Sequence, residues 1–300
     1  MRSGLNGIVV VDKPAGMSSA RVVAEVKRKM GAARVGHTGT LDPFATGVLI
    51  CCINQATRLA RFFLHGGKRY EAVMRLGSTT DTQDATGRIV ATAPLPDLDE
   101  ASLASVFRGF EGPQWQHPPV FAALKHEGTP LYKLARRGKP VQKPPRQVTI
   151  STLRILQVAL PDVRFEVACS AGTYVRTLCH DIGQTLGCGG HLADLRRTES
   201  SGFGLDQAVT LDRLGELDPW QVLIPMAKAL KGMPSVTADD QMIAHMEQGR
   251  PLKPEWFKER GDPMGSPADT LMIVDRANTL RALIEWSPED GTYVYGCVFK

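Results

Sequence analysis

No run of apolar residues in this 300-residue chain approaches the roughly 18–20 needed to cross a bilayer, which excludes a helical membrane protein. The first residues carry no apolar h-region followed by a small-residue cleavage site, which argues against secretion. The chain has no C-x-x-C pair. Its six cysteines, two of them adjacent (Cys51 and Cys52), make no disulfide framework at this length. Reduced thiols in a cytoplasmic protein are the expectation. Low-complexity tracts and internal repeats are also missing. What remains is the composition of a soluble folded chain, 43% hydrophobic and 22% charged, long enough for one large domain or two.

Acidic residues are scarce in one half only. Residues 1–150 hold 21 Lys+Arg against 11 Asp+Glu, whereas residues 151–300 hold 15 against 20. The overall charge of +5 thus hides a basic half and an acidic half. Between Lys125 and Arg146 there are seven basic residues and one acid, Glu127. A basic excess gathered in this way fits a face that meets a polyanion.

Hydrophobic periodicity supplies the elements. Gly7–Val11 reads as a strand, followed by a turn over Asp12–Gly16. Ser18 or Ser19 caps a helix with Val22, Val23, Val26 and Met30 on one face and Gly31 as its stop. Val48–Ile53 is a buried strand or a helix start. Tyr70–Leu76 and Val163–Cys169 alternate as strands. Helices are expected over Asp97–Phe110 and about Thr173–Leu186. Residues 113–147 read as an irregular, exposed, Pro-rich segment. Met233–Val236 reads as a linker to a small unit with one helix (238–248) and strands at 271–275, 280–286 and 293–299. A Glu289-Asp-Gly291 turn joins the last two strands.

The stretch Gly36-His-Thr-Gly-Thr-Leu-Asp-Pro-Phe-Ala-Thr-Gly47 lacks both the G-x-x-x-x-G-K-[ST] phosphate loop and the G-x-G-x-x-G fingerprint. It contains one carboxylate, Asp42, which Pro43 biases toward extended backbone. A lone loop aspartate is more often a turn former than a catalyst. Arg176 falls in the first turn of a helix, where the macrodipole disfavours a cation unless an anion sits opposite. Cys169, Cys179, His180, Cys188 and His191 lie within 23 residues, but their spacings fit no zinc ribbon or finger. No metal site is expected.

These segments together resemble the bacterial tRNA pseudouridine-55 synthase family, the TruB type. Gly7-Ile-Val-Val-Val-Asp-Lys-Pro-Ala-Gly-Met-Ser-Ser19 is similar to its first motif, and Gly36–Leu49 to its catalytic-aspartate motif. Lys68-Arg-Tyr70, Arg75-Leu-Gly-Ser-Thr-Thr-Asp-Thr-Gln-Asp84, Ser170-Ala-Gly-Thr-Tyr-Val-Arg-Thr177 and Leu195-Arg-Arg197 follow in the family's order, covering about residues 5–230. The resemblance implies an α+β fold: a mixed or antiparallel sheet core with flanking helices and a basic insertion, plus a small C-terminal PUA-like β-barrel. It implies a catalytic domain over 1–232, with the insertion at about 118–147, and an RNA-binding domain over 235–300.

The implied activity is conversion of uridine-55 in the tRNA T-loop to pseudouridine, with no cofactor. Asp42 takes the catalytic role, supported by Tyr70, Arg176, Tyr174 and Leu195. Tyr70 is expected to stack on the extruded uracil, and His37 to fill the gap the base leaves. Lys13, Lys125, Lys133, Arg136, Arg137 and Lys139 are assigned to RNA contact, the insertion gripping the T-arm. The expected partner is the tRNA T-arm stem-loop, with no membrane and no obligate protein partner, the chain acting as a monomer. One departure stands out: Ala122 in Phe121-Ala-Ala-Leu-Lys125 occupies the place of an expected serine. A tRNA-binding folding chaperone with secondary catalysis is the alternative reading. A guide-RNA-dependent synthase is disfavoured by the short N-terminus before Gly7 and the lack of Lys-rich tails.

Overall fold

The computed structural model describes residues 4–252, 256, 270–290 and 292–299. Near its start, Ser18 caps the helix α1 (Ser19–Met30) by accepting the Arg21 N–H at 3.2 Å, and Gly31 ends it in the left-handed region at φ 61°. Val22, Val26 and Met30 form the buried stripe, while Val23 is only partly covered.

The main sheet is built on β1 (Gly7–Lys13), β2 (Thr46–Ile53), β3 (Lys68–Leu76), β4 (Gly112–Gln116), β5 (Arg146–Ala159), β6 (Asp162–Cys169), β7 (Gly190–Ser200) and β8 (Val209–Thr210). Their order is β8-β1-β2-β7-β3-β6-β5-β4, with short strands added at the sides. Neighbours are antiparallel except β8 with β1 and β2 with β7, so the sheet is mixed. β1 and β2 are covered on both faces. Val9, Val11, Leu49 and Cys51 pack with α1, and Ile8, Val10, Val48 and Ile50 pack on the other side. Burial on both faces explains why residues 48–53 form an unbroken apolar run, and it settles that run as strand.

Two further helices, α2 (Glu100–Gly109) and α4 (Val175–Thr185), bracket in chain order a short α3 (Leu131–Arg136). Phe107 of α2 meets Phe165 of β6 edge to face at 5.6 Å, and Leu178 and Ile182 of α4 fill the same core.

Residues 113–147 are not irregular throughout, contrary to the sequence expectation. They contain most of β4, a two-residue hairpin pairing Lys125–His126 with Thr129–Pro130, and α3. β4 is an edge strand, the position where a proline such as Pro113 is tolerated. The expected linker is also corrected: β9 (Ser235–Thr237) pairs in parallel with β10 (Thr270–Val274). β11 (Leu280–Ser287) and β12 (Thr292–Val298) complete an open four-stranded sheet, with α5 (Asp240–Glu247) beside it. No closed barrel forms among the described residues. Gly291 of the expected turn lies outside them, although Ser287 stands opposite Thr292.

This C-terminal sheet shares a core with the main one. Met272, Leu283 and Phe299 pack with Phe63, Met226 and Ile50. Arg58 adds a hydrogen bond to the Val298 carbonyl at 2.6 Å and lies over the Phe299 ring.

Candidate active site

Asp42 sits in the loop between the short strand Val35–His37 and β2, and the first motif of the sequence holds that loop. Ser19 accepts the Leu41 N–H and donates to the Leu41 carbonyl, both at 2.9 Å. The Gly16 N–H and the Lys13 ammonium both donate to the Pro43 carbonyl. Residues on each side of Asp42 are thereby fixed to β1 and α1. Gly47 then enters β2 at φ 99°, where a Cβ would fall 2.1 Å from the Arg197 carbonyl oxygen. Only glycine fits that approach.

Opposite Asp42 stands the first turn of α4. Arg176 Nε is 2.9 Å from Asp42 Oδ2, and its Nη2 reaches Oδ1 at 3.4 Å, so both carboxylate oxygens are engaged. The guanidinium is buried and otherwise donates to the carbonyls of Thr82 and Phe121 at 3.1 Å each. A second carboxylate, Asp84, lies 3.5 Å from Nη1 and accepts hydrogen bonds from Thr82 and Thr86. The first-turn arginine is thus explained: it bridges two acids. Burial raises the Asp42 pKa above the ordinary aspartate value, and nearby Asp84 adds to the rise. Arg176 and Lys13 pull it back. The carboxylate remains 31% exposed and looks into a cleft of about 390 Å³.

Tyr70 and Leu195 line that cleft from β3 and β7, and Tyr174 and Arg176 line it from the start of α4. Burial pushes the Tyr70 phenol above its usual pKa, so it stays protonated at neutral pH. Tyr174 carries the Arg146 guanidinium over its ring at 4.7 Å. Five expected residues, Asp42, Tyr70, Tyr174, Arg176 and Leu195, therefore meet in one cavity.

Sequence reasoning gave no place in this cleft to three cations, one of which, Arg146, it counts with the basic insertion. Lys68, Arg146 and Arg197 line the cleft, and Arg197 is fully buried, donating to the carbonyls of Val48 at 2.7 Å and Gly39 at 3.2 Å. Lys68 and Arg197 stood inside quoted motifs, yet nothing in their spacing showed that both turn inward.

Lys13 needs correction. It was assigned to RNA contact, but it is buried, and its ammonium donates to the Pro14 and Pro43 carbonyls at 2.7 and 3.1 Å. Desolvation lowers its pKa to about 8, with Asp42 opposing that shift. His37 lies outside the cleft lining. Its Nδ1 accepts the Gly39 N–H at 3.4 Å, and burial keeps the ring toward the neutral form. Lys125, Lys133, Arg136, Arg137 and Lys139 are all exposed, and none makes an ion pair among the described residues. Ala122 is buried, with its carbonyl accepting the Tyr132 N–H at 3.0 Å. Of the cysteine and histidine cluster, Cys179 is an interior residue of α4, its thiol pKa raised by burial. Cys169 ends β6, and His191 approaches the Ser78 carbonyl at 3.0 Å. No set of three or more His, Cys, Asp or Glu among the described residues is placed to hold a metal ion.

Residues 27–175 match the model of the TruB family pseudouridylate synthase N-terminal domain, and residues 176–231 match the tRNA pseudouridylate synthase B C-terminal domain. The chain is 47% identical over 250 residues to the tRNA pseudouridine synthase B of Syntrophotalea carbinolica, covering 82% of each chain. The chain belongs to the TruB family. Its likeness to the tRNA pseudouridine synthase B of Geobacter sulfurreducens is 42% over 285 residues, covering 94% of this chain and 93% of that one. A solved structure described as a Cbf5-Nop10-Gar1 complex aligns with 99% of this chain and 84% of that chain, at a TM-score of 0.72 and 28% identity. The TruB match spans the whole cleft. The boundary between its two models falls between Val175 and Arg176, inside α4, so the pair Asp42–Arg176 joins the two matched regions.

Proposed function

We propose that Asp42 is the carboxylate on which this chain's isomerisation of tRNA uridine to pseudouridine turns. One observation carries the reading. Asp42 is gripped through both oxygens by a buried arginine, at the wall of a cleft whose other sides carry Tyr70, Tyr174 and Leu195. In the reaction the base leaves C1′, rotates and rejoins through C5, which then loses its proton. One protein group must manage charge or a covalent bond at that centre, and a carboxylate serves as nucleophile or general base. Arg176 fixes which oxygen faces the substrate and favours the ionised form against burial. Tyr70 offers a protonated phenol and an aromatic face for the extruded base, and Leu195 keeps that wall apolar.

The substrate is the T-arm of tRNA and the target its uridine-55. Lys125, Lys133, Arg136, Arg137 and Lys139 attract and position the phosphate backbone. His37, at the end of the short strand that leads into the Asp42 loop, is the group that takes the flipped base's place. The working division is a catalytic domain over 1–232, with the T-arm insertion at 118–147, and a PUA-like RNA-binding unit over 235–300. The enzyme acts in the cytoplasm as a monomer, without cofactor. No helix among the described residues is long and apolar enough to cross a membrane.

The test is release of the C5 hydrogen from uridine in an unmodified T-arm hairpin. Asp42→Asn is expected to bind the hairpin and lose turnover. Pseudouridine formation by that variant overturns the assignment of Asp42.

A further inference from the structure

The last residue of β4, Gln116, is 1% exposed, although its side chain is polar and carries both a donor and an acceptor. Both are spent on the backbone of one residue 58 positions away, Tyr174. Gln116 Oε1 accepts the Tyr174 N–H at 2.7 Å, and Gln116 Nε2 donates to the Tyr174 carbonyl at 2.9 Å. Tyr174 is the N-cap residue of α4 and supplies no side-chain cap hydrogen bond of its own. The Leu178 N–H reaches the Tyr174 carbonyl at 3.1 Å, and the Gln116 amide occupies its second lone pair.

Gln116 does not act alone. In the pairing of β4 with β5, its register partner is Arg146. Arg146 donates to the Gly172 carbonyl and lays its guanidinium over the Tyr174 ring. Gln116 and Arg146, paired where β4 meets β5, therefore hold the Ser170–Tyr174 turn from two sides, Arg146 on the ring and Gln116 on the backbone. Arg176, the partner of Asp42, lies two residues further along the same chain.

We propose that Gln116 is a positioning residue for the isomerisation: its amide fixes the Tyr174 backbone, and through it the pocket ring and the first turn that carries Arg176. Gln116 does not line the cleft and touches no reacting atom. Its effect falls on the geometry of the bound uridine rather than on capture of the RNA, which belongs to the exposed cations. A displacement of about 1 Å at such a site costs on the order of 100-fold in rate.

This inference rests on the cleft around Asp42 being the active site, so wild type and Asp42→Asn are assayed beside it. Turnover by wild type and none by Asp42→Asn upholds that reading whatever the Gln116 variants do. Gln116→Met, in the full chain, is expected to lower kcat about 10- to 100-fold while the Kd for the T-arm hairpin stays within about twofold. Gln116→Glu retains the acceptor and loses the donor, and it is expected to fall between Gln116→Met and wild type. In a Tyr174→Ala background, Gln116→Met is expected to add a smaller further loss than it causes in wild type, because the ring's share of its effect is gone while its backbone hold on the Arg176 turn remains. Wild-type kcat in both Gln116 variants, a loss confined to KM, or a loss that multiplies in full with Tyr174→Ala overturns the proposal. If Gln116→Met does not fold, the isosteric Gln116→Glu decides by the same comparisons.

Discussion

Two populations of cations are present in this molecule, and they are held in opposite ways. Lys13 and the β7 residue Arg197, which reaches over to the Asp42 loop, are buried and bound to backbone carbonyls. Lys125, Lys133, Arg136, Arg137 and Lys139 stand on the insertion in solvent. A count of charge cannot separate the two groups. The first fixes backbone at the price of desolvation, largely beyond the reach of salt; the second acts at a distance and is screened within about 8–10 Å. The cations that shape the cleft are thus not the ones that stand in solvent on the insertion.

The largest expected effect comes from the acid the buried group surrounds. Asp42→Asn removes the ionisable oxygen and is expected to abolish turnover, with hairpin affinity preserved because the exposed cations are untouched. Next, Arg176→Met leaves Asp42 and Asp84 without their shared partner. Removing one member of a buried ion pair costs about 3–5 kcal/mol, so loss of both stability and kcat is expected, read by thermal melting and C5-hydrogen release. A variant that melts like wild type would show that the pair carries no structural load.

Lys13 sharpens the contrast through pH. Its folded pKa of about 8 lies below the ordinary lysine value of 10.5. The unfolded chain therefore binds more protons between those values, and stability contributed by this group rises with pH across that window. The slope it supplies is at most about 1.4 kcal/mol per pH unit. Lys13→Met is expected to flatten that part of the stability profile relative to wild type, measured by denaturant titration from pH 7 to 10. The smallest effect belongs to the insertion. Neutralising Lys133, Arg136 or Arg137 singly is expected to leave the melting temperature unchanged. Each should weaken hairpin binding and reduce the salt slope by about one phosphate's worth. A salt-independent affinity would remove the insertion from RNA capture.

Much of the frame was legible because its elements obey one period each. α1 announces itself through Val22, Val26, Met30, Ser18 and Gly31, and β3 and β6 alternate cleanly. β5 and β7 were not legible. Each contains two register shifts, at Ile150/Thr152 and Ile155/Gln157 in β5 and at Leu192/Asp194 and Arg197/Glu199 in β7. A bulge moves the following side chains to the other face, so alternation breaks in the sequence while the strand continues in space. The site divides likewise. The motifs point to Asp42, Tyr70 and Arg176, whereas the burial of Lys13, Gln116 and Arg197 depends on carbonyls supplied by distant segments.

The parallel seam between β2 and β7, where Arg196 faces Thr46 and Arg197 faces Gly47, bears on the order in which the protein is built. It joins segments 150 positions apart, and the Asp42–Arg176 contact spans 134. Contacts this remote require the intervening chain to close a long loop, so they form late. A ribosome that has released only the first half has already delivered the insertion's charge and Asp42, but neither Arg176 nor Arg197. The insertion's charge is therefore made before the cleft is complete.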